Sequence, residues 1–442
     1  MLTIAGQLLF QRDRPALAWE YLLKPSLHIV RPSIAEYLLA ANCLLQGLGR
    51  YSDAVALLAR ANESNAREAA KLGLANTPFR VLDSVWARHI GHLGILDYVL
   101  KLGILEGRRR SDTVLYLPPG SHLANSFLVE QLASQLRLVE NPVDLPIPAS
   151  AVQALHFDLM APRLSDHTTA YYWNIAAETY ARWHRESRSP LFAFPSDLAS
   201  RGWATLRQAG IPTGSWFVAL HVRECEPDGR KSGINVVRNA DLLTYLPAID
   251  EITRRGGWVI RLGDPGMTPL PPLANVFDYC RSPLRSDWMD IFILACCRFM
   301  VATNSGPAFV PALYGTPAVM TNWWPAAERP WHPSDIFVPK LLRKLSDDSY
   351  LTLTETLREP LCWCYSRRYL AGHAGVRVEN NDPEMIRAAV EEMLNALEDN
   401  RDQDDATAQL RERADQIYQT SGVAGMARLP GKFLHRHERL IA

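Results

Sequence analysis

Apolar side chains recur at helical spacing through the first 76 residues of the chain. Leucine and alanine lie three and four positions apart over residues 15–23, 34–48 and 54–61, and prolines and Gly49 separate these segments. This spacing is typical of amphipathic helices, and proline and glycine commonly mark helix ends. We therefore predict a purely helical layer over residues 1–76.

Residues 44–61 resemble the helix–turn–helix unit of a tetratricopeptide repeat. Glycine and alanine at positions such as Gly47 and Ala54 let paired helices approach closely, and Tyr51 fills the gap between them. Only about two such units fit into 76 residues, fewer than a self-sufficient solenoid needs, so we expect the layer to dock on the next domain. Its role is then either packing and dimerisation or the binding of a protein partner.

The pattern changes near Thr77, where short apolar runs begin to alternate with helical segments. Strands are predicted at 79–86 and 113–117, and a loop at 87–94 follows the first strand. Helices are predicted from the end of that loop through Gly103, and at 123–136, 167–186 and 196–208. Alternation at this interval indicates a parallel sheet covered on both faces. The proline-rich stretch 143–161 shows no clear period and is left unassigned.

A second alternating region follows a predicted linker at 210–214. Residues 216–222 form an uninterrupted apolar run, as expected of a buried parallel strand. Further strands are predicted at 257–262, 275–278, 299–303 and 317–321, and helices at 241–254, 286–297 and 307–314. We predict an α/β fold of two doubly wound, Rossmann-like lobes. Its parts are a helical extension (1–76), an N-terminal lobe (77–210), a C-terminal lobe (211–400) and a helical tail (401–442). Ligands of such sheets bind at the carboxyl ends of the strands, here in the cleft between the lobes.

Composition limits the partners. The 442 residues include 47 Lys and Arg against 47 Asp and Glu, so no basic surface is available to coat nucleic acid, and an anion site must be local. Seven cysteines, odd in number and without C-x-x-C spacing, argue against a disulfide framework or a zinc site. Neither a secretory signal nor an apolar run of membrane-spanning length is present, which predicts a cytoplasmic protein, with the inner face of the membrane as an alternative location.

Common nucleotide and hydrolase fingerprints are absent. Residues 229–233 (GRKSG) lack the spacing of a phosphate-binding loop, and the chain contains no G-x-G-x-x-G after a strand, no H-E-x-x-H and no G-x-S-x-G. These absences disfavour P-loop ATPases, Rossmann dehydrogenases, zinc proteases and α/β-hydrolases.

The candidate chemistry lies instead at three strand ends of the C-terminal lobe. His221 and Arg223 end the first strand, Gly263 and Asp264 the second, and Asn304, Ser305 and Gly306 lead from a third strand into a predicted helix. An arginine at a strand exit offers a planar fork to a diphosphate, unless neighbouring acids pair with it. Hydroxyls and backbone N–H groups at a helix start favour phosphate as well. We predict an anion site at this edge of the sheet.

These segments also resemble known families. The spacing of His221, Arg223 and Glu226 is similar to the H-x-R-x-x-D motif of the fucosyltransferase superfamily, and residues 305–319 resemble the donor-lobe signature of heptosyltransferase-type enzymes. With its helical repeats ahead of I-G-H-L, H-V-R, R-N-A-D and I-R-L-G-D, the chain resembles a bacterial family of surface-polysaccharide glycosyltransferases over roughly residues 77–325. Two departures are that Glu226 replaces Asp, and that Phe309 stands where heptosyltransferases have His, which argues against heptose as the donor sugar.

The resemblance implies a GT-B fold, metal-independent transfer with inversion, and a nucleotide-diphosphate sugar, a GDP-sugar being one candidate, bound as substrate with no cofactor. Arg223 would hold the β-phosphate, His221 would orient it, and Ser305 with Gly306 would bind diphosphate oxygens. Gly263, Asp264 and Asn304 complete the predicted donor site, and Asp278 is assigned to base or ribose.

The acceptor would be a glycan, a lipid-linked sugar or a protein. His92 and Glu226 are the two candidate bases, with a purely structural histidine as the alternative for His92. The other functions that the sequence leaves open are a sugar-nucleotide epimerase of the same two-lobed fold and a non-enzymatic helical-repeat adaptor.

Overall fold

The computed structural model describes residues 2–28, 32–164, 168–224, 233–398 and 405–441. Its N-terminal layer consists of α1 (Leu2–Gln11), α2 (Pro15–Ala18), α3 (Lys24–Ser26), α4 (Ile34–Asn42) and α5 (Tyr51–Lys71), with π-helical turns at Trp19–Leu23 and Cys43–Gly47. Ser33 caps α4 through a reciprocal capping box with Glu36. Gly49, with φ +66°, separates α4 and its π-helical turn from α5, and α4 packs on α5. The described residues of this layer, up to Lys71, form helices and turns.

This layer docks on a segment near the end of the C-terminal lobe. The ring of Tyr51 stacks on that of Trp363 at 5.1 Å. The backbone N–H of Tyr365 donates to the carbonyl of Gln46 at 2.7 Å. The backbone N–H of Ser52 donates to the Glu359 carboxylate at 3.1 Å. The short helical layer therefore completes its packing against another part of the chain, as its size predicts.

Gly49 tests this docking. A Cβ atom at Gly49 would lie 1.6 Å from the carbonyl oxygen of Pro360, whereas a Cβ at Gly73, which has a similar φ of +72°, meets nothing within 4 Å. Alanine at either position adopts a left-handed backbone at a cost, but only Gly49→Ala also forces two segments apart. We expect Gly49→Ala to lower the free energy of unfolding by about 1–3 kcal/mol more than Gly73→Ala, measured by urea denaturation. Equal losses would show that the contact with Pro360 is not maintained in solution.

The first sheet lies in the N-terminal lobe and is entirely parallel, in the order β1-β2-β3. Its elements are β1 (Arg80–Leu82), α6 (Ile90–Leu105), β2 (Thr113–Tyr116), α7 (Ser126–Leu132), β3 (Arg137–Val139), α8 (Tyr172–Arg185) and α9 (Ser196–Gln208). The predicted strand 79–86 ends early because Asp83 caps a 3-10 turn at Ser84–Ala87. Most of the predicted loop 87–94 belongs to α6. The three-residue β3 was not predicted because it is too short to show a period.

Two further segments of this lobe differ from the sequence prediction. The unassigned stretch 143–161 contains short 3-10 turns, and it buries Ala151, Ala154 and Leu155 against residues of the first sheet. The helix predicted from residue 167 begins at Tyr172. The last helix, α9, packs on the C-terminal lobe, where the ring of Trp203 lies 5.3 Å from that of Phe217.

The second sheet has six parallel strands in the order β6-β5-β4-β7-β8-β9. They are β4 (Phe217–His221), β5 (Trp258–Arg261), β6 (Val276–Phe277), β7 (Met300–Ala302), β8 (Ala318–Trp323) and β9 (Ile336–Pro339), and the helices α10 (Leu246–Arg254) and α11 (Asp287–Cys296) connect them. The chain builds outward from β4 through β5 to β6, then returns to place β7 on the other side of β4. The reversal between β4 and β7 is a topological switch point, where parallel sheets open a crevice for ligands.

One predicted helix of this lobe is absent. Residues 307–314 form two 3-10 turns, Gly306–Phe309 and Pro311–Tyr314. A proline at 311 has no N–H for a helical hydrogen bond and clashes with the preceding turn, so a continuous helix cannot pass through it. Trp323 and Trp324, which end and follow β8, are fully buried and belong to the core.

The remaining elements cover the second sheet. They are β10 (Leu341–Lys344), α12 (Leu353–Thr356), α13 (Arg367–His373), β11 (Val376–Glu379), α14 (Pro383–Leu397), α15 (Asp405–Thr420) and α16 (Gly431–Arg436), with β10 and β11 antiparallel. The C-terminal end lies on the body, since Phe433, Leu434 and Ile441 are buried and Arg436 pairs with Asp382. Within the described ranges, no helix combines the length and the apolar character that crossing a bilayer requires.

Candidate functional site

A cleft of about 840 Å³ lies between the two lobes, at the carboxyl ends of β4 and β7. Its walls include seven of the residues predicted from the sequence, namely His92, His221, Arg223, Asp264, Asn304, Ser305 and Gly306. Gly263 and Asp278 are not part of the described lining, and Glu226 lies outside the described residues. Asn42 and Gln46 of the N-terminal layer also contribute, so three parts of the chain form one cavity.

Hydrogen bonds join the ends of β4 and β7 at the switch point. The backbone N–H of Thr303 donates to the carbonyl of His221 at 3.2 Å, and that of Arg223 donates to the hydroxyl of Thr303 at 2.9 Å. The Nδ1 atom of His221 lies 2.9 Å from the hydroxyl of Ser305. Because the backbone of Arg223 is anchored, its side chain starts from a defined position at the cleft.

His221 is uncharged at neutral pH. The imidazole is buried, and burial lowers its pKa to about 4, with the nearby cations Arg261 and Arg223 acting in the same direction and Asp264 opposing them. A neutral imidazole bonded to Ser305 orients that hydroxyl without adding charge. The positive charge at this end of the cleft therefore comes from arginine.

The two lobes touch backbone to backbone beside Ser305. A Cβ atom at Gly91 would lie 2.7 Å from the Cα atom of Gly306, and one at Gly306 would lie 2.9 Å from the nitrogen of Gly91. Only glycine permits this approach at both positions. The contact brings the first turn of α6 against the turn that follows β7, so that His92 and Ser305 line the same cavity.

His92 has the geometry of a proton acceptor. Its Nδ1 atom lies 2.9 Å from the carbonyl oxygen of Val85. Since a carbonyl only accepts, Nδ1 of the neutral ring carries the proton, and Nε2 keeps its lone pair. Burial lowers the pKa of His92, and the neighbouring His89, whose ring lies 4.9 Å away, adds to the effect; the bond to Val85 and the charge of Asp83 oppose it. The unprotonated ring is therefore favoured near pH 7.

Asp278 and Gly263 lie behind the cleft wall. The fully buried guanidinium of Arg261 donates to Asp278 at 3.3 Å and to Glu224 at 3.1 Å. Asp278 thus stands in an ion pair at the end of the second sheet. Gly263, with φ +152°, packs so close to Met267 that a Cβ atom would lie 2.5 Å from its sulfur. Both residues support the loop that carries Asp264 into the cleft.

The sequence analysis assigned no role to two further charged residues of the cleft, Glu328 and Arg238. Glu328 is buried and accepts hydrogen bonds from the hydroxyls of Tyr365 (2.7 Å) and Tyr171 (3.3 Å) and from the amide of Asn304 (3.3 Å). Burial raises its pKa to about 7, although Tyr365 and Arg238 pull in the other direction. Arg238 lines the cleft nearby. Glu328 follows β8, so a search for polar residues after the end of each strand could have identified it from the sequence.

Metal-ligating side chains do not cluster in the parts of the chain described above: no group of three His, Cys, Asp or Glu residues is arranged to hold an ion. The six described cysteines are all free.

Comparison with known proteins finds weak structural similarity and no sequence family. No family profile matches the chain, and no curated protein matches it. A glycosyl transferase family 9 protein from Veillonella parvula DSM 2008 is 11% identical with a TM-score of 0.35, over 59% of this chain and 85% of that one. The iron-containing dodecameric glycosyltransferase TibC from enterotoxigenic E. coli H10407 is 11% identical with a TM-score of 0.38, over 73% and 76%. The E. coli heptosyltransferase WaaC, solved with ADP, is 12% identical with a TM-score of 0.27, over 59% and 91%.

Proposed function

We propose that this chain is a GT-B glycosyltransferase that moves a sugar from a nucleotide-diphosphate donor to a glycan or cell-envelope acceptor, with inversion and without a metal ion. The observation that carries the proposal is the convergence at the switch point. Arg223, His221 and Ser305 meet at adjacent strand ends of one lobe, and His92 faces the same cavity from the other lobe. A phosphate-binding edge opposite a proton acceptor is the arrangement that sugar transfer from a diphosphate requires.

The donor diphosphate would bind at the ends of β4 and β7. Arg223 supplies the charge, with a planar fork that suits phosphate oxygens. Ser305, oriented by neutral His221, donates its hydroxyl, and the absence of a side chain at Gly306 lets an oxygen approach the backbone. Preorganised donors of this kind stabilise the charge on a leaving diphosphate without a metal ion. Asn304 and Asp264 would contact the sugar or the ribose from the same wall.

The acceptor would enter from the side of the N-terminal lobe. Its hydroxyl must lose a proton as its oxygen attacks the anomeric carbon, and Nε2 of His92 has the lone pair to receive it. Inversion is proposed from the resemblance to fucosyltransferases, and it would require the acceptor oxygen to attack the face of the anomeric carbon opposite the diphosphate. Glu226 stays a candidate for the same role.

Other parts of the prediction are proposals of the same kind. The N-terminal layer, which the sequence likens to a tetratricopeptide repeat, would serve as a protein-binding or dimerising surface in addition to its contribution to the cleft wall. A cytoplasmic location and the assignment of Asp278 to the donor base or ribose stay predictions. The ion pair of Asp278 with Arg261 suggests that Asp278 would act by holding the adjacent loop.

A ligand panel tests the proposal directly. GDP, UDP, ADP, dTDP and CMP, with their sugar conjugates, would be added to the protein in thermal unfolding experiments. A nucleotide at 1,000 times its Kd should stabilise the fold by about 4 kcal/mol, and we expect this from at least one nucleoside diphosphate. If none raises the Tm, the donor site is refuted and the adaptor function is favoured.

The stabilising sugar conjugate then separates transferase from epimerase. A transferase should release the nucleoside diphosphate faster when an acceptor glycan is supplied. Conversion of the donor to its epimer in the absence of an acceptor would instead identify a sugar-nucleotide epimerase.

A further inference from the structure

Arg238 is a half-buried arginine of the cleft whose Nε–H has no hydrogen-bond acceptor among the described residues. It ends the 3-10 turn Ile234–Arg238 and lines the cavity. Its Nε atom is shielded from solvent and meets no hydrogen-bond acceptor in the described residues. The Nε atom of Arg261 is also without an acceptor, but the terminal nitrogens of Arg261 pair with Glu224 and Asp278, whereas Arg238 forms no ion pair within the described residues. Since a shielded guanidinium N–H without an acceptor is costly, Arg238 is poised for an anion that enters the cleft.

A buried lysine holds the backbone on both sides of Arg238. The Nζ atom of Lys340 donates to the carbonyl of Val237 at 2.6 Å, to that of Asn239 at 2.8 Å and to the side chain of Asn380 at 2.7 Å. Lys340 is 2% exposed, and burial lowers its pKa, so placing the amine there costs stability that these three hydrogen bonds offset. The turn is therefore fixed before any ligand arrives.

Neighbouring groups leave the guanidinium available. The ring of Tyr365 lies 5.8 Å from the guanidinium carbon and forms an apolar platform. The carboxylate of Glu328 attracts Arg238 electrostatically, but its oxygens accept hydrogen bonds from Tyr171, Tyr365 and Asn304. A planar cation beside an aromatic ring, whose Nε–H has no acceptor, suits an oxyanion such as phosphate.

We propose that Arg238 is a second phosphate-binding arginine, which together with Arg223 holds the diphosphate of the donor and stabilises it as it leaves. This inference rests on the proposed glycosyltransferase function. In the transfer step, the bond between the anomeric carbon and the β-phosphate oxygen breaks, and its electron pair remains on that oxygen. A bond forms between the acceptor oxygen and the anomeric carbon, and the acceptor proton passes to His92. The charge that develops on the departing phosphate is the one that Arg238 would meet.

Binding of the diphosphate should be accompanied by uptake of a proton at Glu328. The groups facing Glu328 are Arg238, Tyr171, Tyr365 and Asn304, together with Tyr172, whose phenol interacts with Glu328 electrostatically. Arg238 is the cation among them and lowers the pKa of Glu328, which is about 7. When a diphosphate engages Arg238, that influence is partly cancelled and the pKa of Glu328 rises. The protein should therefore take up a proton, and nucleotide affinity should increase as the pH falls from about 8 to about 6.

Calorimetric titration tests both consequences. The nucleoside diphosphate that stabilises the wild type would be titrated into wild type, Arg238→Ala, Arg238→Gln and Arg182→Ala, the last an exposed arginine paired with Glu186 far along α8. We expect both Arg238 variants to bind about 10- to 100-fold more weakly, the range for losing a charge-assisted hydrogen bond, and Arg182→Ala to bind as wild type. Repeating the titration in buffers of different ionisation enthalpy should show proton uptake in the wild type and its loss in Glu328→Gln.

The outcomes separate the two proposals. If the wild type binds no nucleoside diphosphate, the donor site itself fails. If the wild type binds but Arg238→Gln, shown to be folded by circular dichroism, binds equally well, Arg238 has no contact with the phosphate and this inference is wrong. Weaker nucleotide binding by Arg238→Gln, with the same proton uptake as in the wild type, would also contradict the inference. Proton uptake at Glu328 is expected because the diphosphate cancels the influence of Arg238, so it should change when Arg238 is replaced.

Discussion

Arg223→Ala is expected to reduce sugar transfer by at least 100- to 1,000-fold and to weaken nucleoside-diphosphate binding, while the protein stays folded. The side chain is the cation anchored at the end of β4, and a preorganised donor to a developing negative charge contributes that much to kcat in other enzymes. The fold should survive because the contact of residue 223 with Thr303 uses its backbone N–H, which alanine retains.

Arg223→Lys separates the contribution of the charge of residue 223 from that of its planar guanidinium. Lysine keeps the charge but loses the planar fork, so we expect partial binding and a kcat between those of wild type and Arg223→Ala. Steady-state kinetics with the stabilising donor, together with titration of the nucleoside diphosphate, would measure both effects, and Arg182→Ala serves as the surface control. Wild-type turnover and binding in Arg223→Ala would overturn the assignment of the donor site.

The position of the cleft was predictable because the carboxyl ends of parallel strands lie at the same edge of a sheet. Apolar runs at 216–222 and 299–303 read as buried strands, and polar residues directly after them had to lie at the carboxyl edge of one sheet. The structure places β4 and β7 side by side, so that His221 and Ser305 are in contact. Neither the strand order nor this contact follows from local pattern, since pairing depends on the whole sheet.

Positions that depend on tertiary contacts were not predictable. Asp278 follows a strand as Asp264 does, yet the fully buried Arg261 draws it into an ion pair. Arg238 opens the R-N-A-D segment, but that segment alone assigns it no position, and it lines the cleft because Lys340, about 100 positions later, holds its turn. In each case the role of the residue depends on a side chain that is distant in sequence, so a short segment of sequence around the residue does not predict that role.

The second large effect is expected from His92→Asn. The amide nitrogen of asparagine can occupy the position of Nδ1 and keep the hydrogen bond to Val85, but the variant has no Nε2 lone pair. Loss of a general base typically lowers the rate by about 100- to 10,000-fold, so kcat should fall by that amount. Nucleoside-diphosphate affinity should stay unchanged because His92 belongs to the opposite lobe. If Glu226→Gln abolishes transfer and His92→Asn does not, the base is Glu226.

The pH profile distinguishes a base from a structural histidine. His92 acts when unprotonated, and burial together with His89 lowers its pKa below the usual value of about 6.5. Transfer should therefore persist below pH 6.5 and decline only as the pH falls through the lowered pKa. His89→Ala removes one neighbour that opposes protonation, so the pKa of His92 should rise and the acid limb should move to higher pH. If the acid limb of the pH profile of transfer does not move in His89→Ala, the limb reports the titration of a group other than His92, because His89 is a direct neighbour of His92.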